Sequence, residues 1–174
     1  MSVIISANMI SKGGRKGVNR MFSPIVNITA GIALLFAVMV AAAAEPWDDY
    51  DAANYEAAFA GYMPLAENGN AVAQFFLGSM YDNGWGVSQD YGQAVKWYRM
   101  SAEQGDSDAQ LNIGYLYAKG LGVTQDLVQA HMWFALAAAN GNKSAAEDRA
   151  IVTHSMTADQ IAKARQLADD WTPK

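Results

Sequence analysis

The chain contains no cysteine. Disulfides, thiolate metal sites, a cysteine nucleophile and a lipid-modified cysteine are therefore excluded. Histidine is scarce as well, His131 and His154 being the only two among 174 residues. A metal site or a His-based triad needs partners at recognisable spacing, and neither histidine has them in the sequence. His131 stands near Trp133 but on another helical face, and His154 closes a helical pattern, where its charged form suits the helix dipole. Acid is missing from residues 1–44, which carry only Lys12, Arg15, Lys16 and Arg20. From Glu45 onward the balance reverses, with 17 Asp and Glu against 12 − 4 = 8 Lys and Arg, a net −9. That surplus argues against nucleic acid, because such binding draws its affinity from neutralised phosphates.

The N-terminal charge asymmetry carries a localisation signal. Met1–Arg20 is polar and basic, Ile25–Ala44 is uncharged and apolar, and the run Ala41-Ala42-Ala43-Ala44 precedes Glu45-Pro46-Trp47-Asp48-Asp49. Basic region, apolar region and small-residue exit together read as a secretory signal peptide over residues 1–44, cut after Ala44. The alternative is an uncleaved anchor, since about 20 apolar residues just span a bilayer. A start at Met21 in place of Met1 would remove the basic region. Either way the acidic part is expected in the periplasm or outside the cell, with a membrane partner only if the segment stays uncleaved.

What the chain does have is one 36-residue pattern written twice. Asn70–Gly105 laid over Asp106–Gly141 gives 14 identities in 36 positions, among them Ala73/Ala109, Gln74/Gln110, Gly78/Gly114, Gly84/Gly120, Gly86/Gly122, Asp90/Asp126 and Trp97/Trp133. Leu77/Ile113 and Tyr98/Phe134 are conservative pairs. A fixed period in this range is the mark of a solenoid array. Each repeat divides into helix A, a glycine loop and helix B. In the first, helix A runs over 70–83 behind Asn70 as N-cap. Gly84-Trp85-Gly86-Val87 then breaks the chain, and Asp90 with Gln93 at N-cap-to-N3 spacing opens helix B. Ala94, Trp97, Tyr98, Ser101 and Ala102 form the buried side of helix B, which Gly105 ends. The second repeat runs in the same way over 106–141.

The flanks extend the alternation. Residues 45–50 make a short acidic lead-in, expected to be poorly ordered. Residues 51–69 read as the helix of a degenerate half-repeat, in which Gly61 replaces the Trp and Pro64 should kink or loosen the helix. In the tail, 142–174, Asn142 takes the N-cap position of a third helix A running to about His154. Thr157-Ala158-Asp159-Gln160 is a capping box for a last helix with Ile161, Ala164, Leu167, Ala168 and Trp171 on one face. That makes about seven helices in which each pair covers its neighbour.

The string Ala-Gln-x-x-Leu-Gly-x-x-Tyr-x-x-Gly-x-Gly-Val-x-Gln-Asp-x-x-x-Ala-x-x-Trp, carried by Ala73–Trp97 and again, with Ile113 for Leu, by Ala109–Trp133, resembles the Sel1-like repeat. The resemblance implies an all-α protein, a right-handed α/α solenoid of tetratricopeptide-like helix-turn-helix repeats of the secreted bacterial type. It also implies a protein-interaction scaffold or adaptor. One disulfide-rich branch is linked to β-lactam hydrolysis, and a chain without cysteine departs from that branch. The tetratricopeptide likeness places positions 72, 75, 79, 82 and 83, and those 36 later, on the concave side. Phe75, Leu111 and Tyr115 would form an apolar and aromatic floor edged by Asp82, Asn83 and Lys119, with Ser79 also on the concave side. The bland alternative is that Phe75 and Leu111 simply pack between adjacent A helices. Trp85, in place of Leu121 in an exposed loop, is a second contact candidate.

Catalysis finds little support in these residues. The two Gly-x-Gly loops lack a preceding strand and a following Lys-Ser/Thr, so they end helices and cradle no phosphate. Asp90 and Asp126 recur at the repeat period, as caps must and a catalytic pair need not. Ser155 beside His154 has no triad around it. The expectation is a non-catalytic scaffold of the bacterial cell envelope. It takes a protein or peptide partner in the concave groove, with no cofactor, no metal and no nucleic acid. The alternative is a periplasmic enzyme or carbohydrate-binding accessory using the acidic and aromatic groove.

Overall fold

The computed structural model of the protein describes residues 45–51 and 53–173. The signal-peptide or anchor segment and the choice between Met1 and Met21 lie outside the described residues. Among those described there are eight helices and no strand: α1 Pro46–Asp51, α2 Tyr55–Glu67, α3 Ala71–Asn83, α4 Tyr91–Glu103, α5 Ser107–Lys119, α6 Leu127–Ala139, α7 Ala145–Thr153 and α8 Ala158–Asp169. Each helix from α1 to α6 packs on the next along the chain, and α6 is covered by both α7 and α8. This is an α/α solenoid. None of the described helices is long and apolar enough to cross a membrane.

Local chemistry sets the helix ends where the repeat places them. Asn70 and Asp106 accept from the backbone N–H of Ala73 and Ala109 at 2.9 and 2.7 Å, and Asp90 accepts from that of Gln93 at 3.0 Å. Asp126 accepts from Val128 and Gln129 together. These side chains satisfy donors that the first helical turn leaves without partners. Thr157 and Gln160 form the full reciprocal capping box of α8. At the other end, Gly84 and Gly120 close α3 and α5 in the left-handed conformation.

The identical positions are contact points. In α5, a Cβ on Gly114 would stand 2.6 Å from the Phe134 ring, so the missing side chain is what lets helices A and B of one repeat close up. Gly122 serves the joint between repeats: at φ 68, its Cβ would fall 2.3 Å from the Tyr91 carbonyl at the start of α4. Trp97 and Trp133 are both 5% exposed. Gln74 and Gln110 are buried polar links. Their Nε2 groups donate to the Ala66 and Ala102 carbonyls at 3.0 Å, and their Oε1 atoms accept from Gln104 and Asn140 at 2.8 and 2.9 Å. A buried amide is tolerable only when bonded in this way, and here it ties each A helix to the end of the preceding B helix.

Two expectations require correction. Residues 45–50 are not a disordered lead-in but most of α1. Pro46 is buried against Gly61, and the Tyr50 ring meets Tyr55, Tyr62, Phe76 and Trp85 at 4.8–6.4 Å. Pro64 lies inside α2. It sits in the last turn, the helix runs on to Glu67, and the Asn68 N–H bonds to the Pro64 carbonyl at 3.2 Å. The third A helix starts at Ala145, with Asn142 accepting from the N–H of Ser144 and Ala145 ahead of it.

Candidate functional site

Helices α5 and α7 are both A helices, and they leave a cleft of about 430 Å³ between them. Tyr115 and Lys119 come from α5, Asp148 and Ile151 from α7, and Leu127 and Phe134 of α6 lie beneath. Tyr115 is held edge-on to Phe134, centroids 5.3 Å apart, yet stays 39% exposed. Ile151 is 66% exposed, the highest value among the large exposed apolar residues described. Lys119 closes α5, where a cation is favoured by the helix dipole.

The electrostatics of the cleft centre on Asp148. Its Oδ2 is buried without a hydrogen-bond partner among the described residues. An unpaired buried carboxylate oxygen costs about 1–3 kcal/mol or more, so it is an acceptor available to an incoming donor. Burial first, then the side-chain hydrogen bond of its hydroxyl to Asp148, and last the charge of that carboxylate, push the Tyr115 phenol up to about 12. Tyr115 therefore stays a neutral donor at physiological pH. The cleft offers an aromatic wall, a protruding aliphatic side chain, a free carboxylate oxygen and a cation at one end. Such a set is chemically able to hold a short stretch of polypeptide by an apolar anchor and a few polar bonds. Among the described residues no group of three His, Asp or Glu is clustered to hold a metal.

Of the eight residues singled out from the sequence, two line this cleft, Tyr115 and Lys119. The other six lie elsewhere. Phe75 is half-buried against the core, its ring 5.5 Å from Phe76 and 5.9 Å from Tyr98. Leu111 is half-buried. Ser79 is half-buried and its Oγ meets the Tyr50 hydroxyl at 3.4 Å. Asp82 accepts from the Tyr98 hydroxyl at 3.4 Å, and its burial raises its pKa above the ordinary carboxylate value. Asn83 is exposed and donates to the Ser79 carbonyl at 2.8 Å. Trp85 is not an exposed loop residue: it stacks on Tyr55 at 5.1 Å, nearly parallel, and is half-buried. The aromatic residues of α1 and α2 supply that stack, and the sequence does not place them there.

Asp148, Ile151 and Ser155 were missed. They stand 36 positions after Asn112, Tyr115 and Lys119, so a third copy of helix A carries the far wall. The signal was present, but without a glycine loop the third repeat is hard to keep in register.

A family model described as Sel1 repeat matches residues 71–106 and 107–142. Solved structures agree in fold. A protective antigen of uropathogenic Escherichia coli with an SLR fold is 35% identical, with a TM-score of 0.66 over 80% of this chain and 28% of its own. A Sel1 repeat protein from Oxalobacter formigenes is 29% identical, with a TM-score of 0.60 over 73% of this chain and 54% of its own. The chain thus spans between about a quarter and a little over half of these relatives. No curated protein matches it.

Proposed function

We propose that this protein, whose residues 71–142 form two Sel1 repeats, is a non-catalytic scaffold of the bacterial cell envelope that binds a peptide or protein partner in the α5–α7 cleft. Sel1 repeats generally mediate protein–protein interactions, and proteins of this fold are generally non-catalytic scaffolds. The observation that carries the reading for this chain is the pairing of exposed Tyr115 and Ile151 with the unpartnered Asp148 Oδ2 in one cleft. An apolar side chain from the partner would seat between Tyr115 and Ile151, while a partner N–H or cation would satisfy Asp148. The placement in the envelope is supported by the charge and hydropathy pattern of residues 1–44 alone.

The test is site-specific photo-crosslinking in envelope preparations of the full chain. A photoreactive residue is placed at Tyr115, at Ile151, or at exposed Lys96 of α4 as control. The expected result is one discrete adduct from the first two positions and none from the third, on a protein whose mature N-terminus is Glu45. Equal adducts from all three positions, or none from Tyr115 and Ile151, would overturn the proposed site. An intact N-terminal segment in a soluble cytoplasmic fraction would overturn the placement in the envelope.

A further inference from the structure

A second cleft, of about 320 Å³, lies among α6, α7 and α8, and its chemistry is unlike that of the rest of the surface. Its walls carry His131 from α6, Arg149 from α7, His154 at the end of α7 and Arg165 from α8, around the small side chains Ala146 and Ala150. No carboxylate lines it. In a region with a net charge of −9, two of only eight Lys and Arg converge there with both histidines of the chain.

The innermost member is His131. It is 3% exposed, and its Nδ1 is buried without a partner among the described residues. An imidazole nitrogen left bare in this way is costly unless something comes to meet it. The position is an apolar slot in the repeat. Thirty-six residues earlier stands Val95, which is 7% exposed in α4. Packing therefore asks for a hydrophobe, and the chain has a histidine where Arg149 and Arg165 line the same cleft. Burial first, then Arg149 and Arg165, disfavour a charged His131. His154 has its Nδ1 2.7 Å from the Ala150 carbonyl, which can only accept. That nitrogen therefore carries the proton and Nε2 is left free.

We infer that this cleft is a binding site for a small phosphate-class oxyanion, either free phosphate or the phosphoryl group of a small ester. Arg149 and Arg165 would grip the oxygens through guanidinium forks suited to that geometry. The His131 Nδ1 would donate from the inner wall, and the His154 Nε2, an acceptor in this tautomer, would close the outer side by accepting from a P–OH of the protonated phosphate. The site is separate from the α5–α7 cleft: the two share no lining residue, and α7 presents opposite walls to them. Its failure would leave the scaffold reading untouched.

The experiment is calorimetric titration of the full chain with inorganic phosphate and, in parallel, with glycerol phosphate, against chloride at matched ionic strength. Binding with a dissociation constant of about 1 mM or tighter is expected for at least one of the two, and the tighter one identifies the source. The R149Q/R165Q double variant should lose about tenfold or more in affinity, since charge-assisted hydrogen bonds are worth at least about one power of ten. The K143Q/K163Q variant, with the same charge change away from the cleft, should keep parental affinity. Heats indistinguishable from chloride with the parent protein would overturn the inference, whatever the variants do. Equal losses in the two double variants would overturn it too, by reducing the effect to general charge.

Discussion

Replacing Gly122 by alanine should loosen the joint between the two repeats, and three glycines allow the cost to be separated into its parts. Gly105, Gly120 and Gly122 all have positive φ, at 94, 70 and 68°. Alanine at any of them meets the same backbone penalty, about 1–2 kcal/mol, partly offset by about 0.4–1 kcal/mol from a stiffer unfolded chain. They differ in what the new methyl would touch. At Gly105 nothing lies within 4 Å; at Gly120 the nearest atom is the Gln125 backbone N–H or Cβ, at 3.2–3.3 Å; at Gly122 the Tyr91 carbonyl stands at 2.3 Å and the Gly92 nitrogen at 2.7 Å. The last is backbone at the start of α4 and has no rotamer to escape into. Overpacking of that kind adds about 1–3 kcal/mol. The expected order of destabilisation is therefore Gly122→Ala, then Gly120→Ala, then Gly105→Ala. Urea unfolding followed by helical circular dichroism reads it directly. With a slope of about 1–3 kcal/mol per molar, the midpoints of Gly122→Ala and Gly105→Ala should differ by about 1 M. Gly86→Ala should behave like Gly122→Ala, because its methyl would meet the Tyr55 carbonyl at 2.4 Å. Equal midpoints for Gly122→Ala and Gly105→Ala would refute the claim that the repeats stack through backbone contact at this glycine.

Two further outcomes follow from caps and charge. Asp90→Ala and Asp126→Ala should each cost about 0.5–2 kcal/mol, with Asp126→Ala the larger because Asp126 accepts from two backbone donors and Asp90 from one; both variants should keep the Tyr115 and Ile151 cross-links, and loss of those adducts without loss of stability would give the aspartates another role. His131 is held below its ordinary value of 6.5 by burial and by Arg149 and Arg165. The unfolded chain therefore binds this proton more readily, so stability is complete above about pH 6.5 and falls as the pH drops toward the folded value. The slope reaches at most about 1.4 kcal/mol per pH unit. Urea midpoints measured from pH 8 to pH 5 in chloride should show a decline that His131→Gln flattens, and an unchanged decline in that variant would assign it elsewhere.

The parts of this molecule that were legible are those that packing forces to recur. Gly114 and Phe134 were readable because Gly78 and Tyr98 stand in the same relation 36 residues earlier, one ring over one bare helix in each repeat. The caps at Asn70, Asp90, Asp106 and Asp126 were readable because a helix start imposes a local chemistry wherever it occurs. The helix α1 was not, because six residues have no helical stability of their own. Pro46 on Gly61 and Tyr50 among four aromatic rings hold it, and those contacts are long-range. Trp85 was misread for the same reason, since its partners Tyr50 and Tyr55 come from elements that the repeat does not specify.

The two clefts were hidden more deeply, and their concealment has a physical logic. Each is built where the array stops repeating: α7 is a helix A without its glycine loop, and α8 has no counterpart in the earlier copies. A period reveals residues whose neighbours are the same in every copy. It cannot reveal a residue whose neighbour occurs once. Tyr115 faces Ile151 and Asp148 because the third A helix follows it, whereas Ser79, its equivalent in the first repeat, meets Tyr50 of α1 instead. His131 differs from Val95 for the same kind of reason. Both slots are buried, but only the second lies where α7 and α8 bring up two arginines. Disagreement between copies at a buried position is thus the sharper guide: an exposed mismatch is cheap, while exchanging Val for His in a core slot must be supported by something in the surroundings.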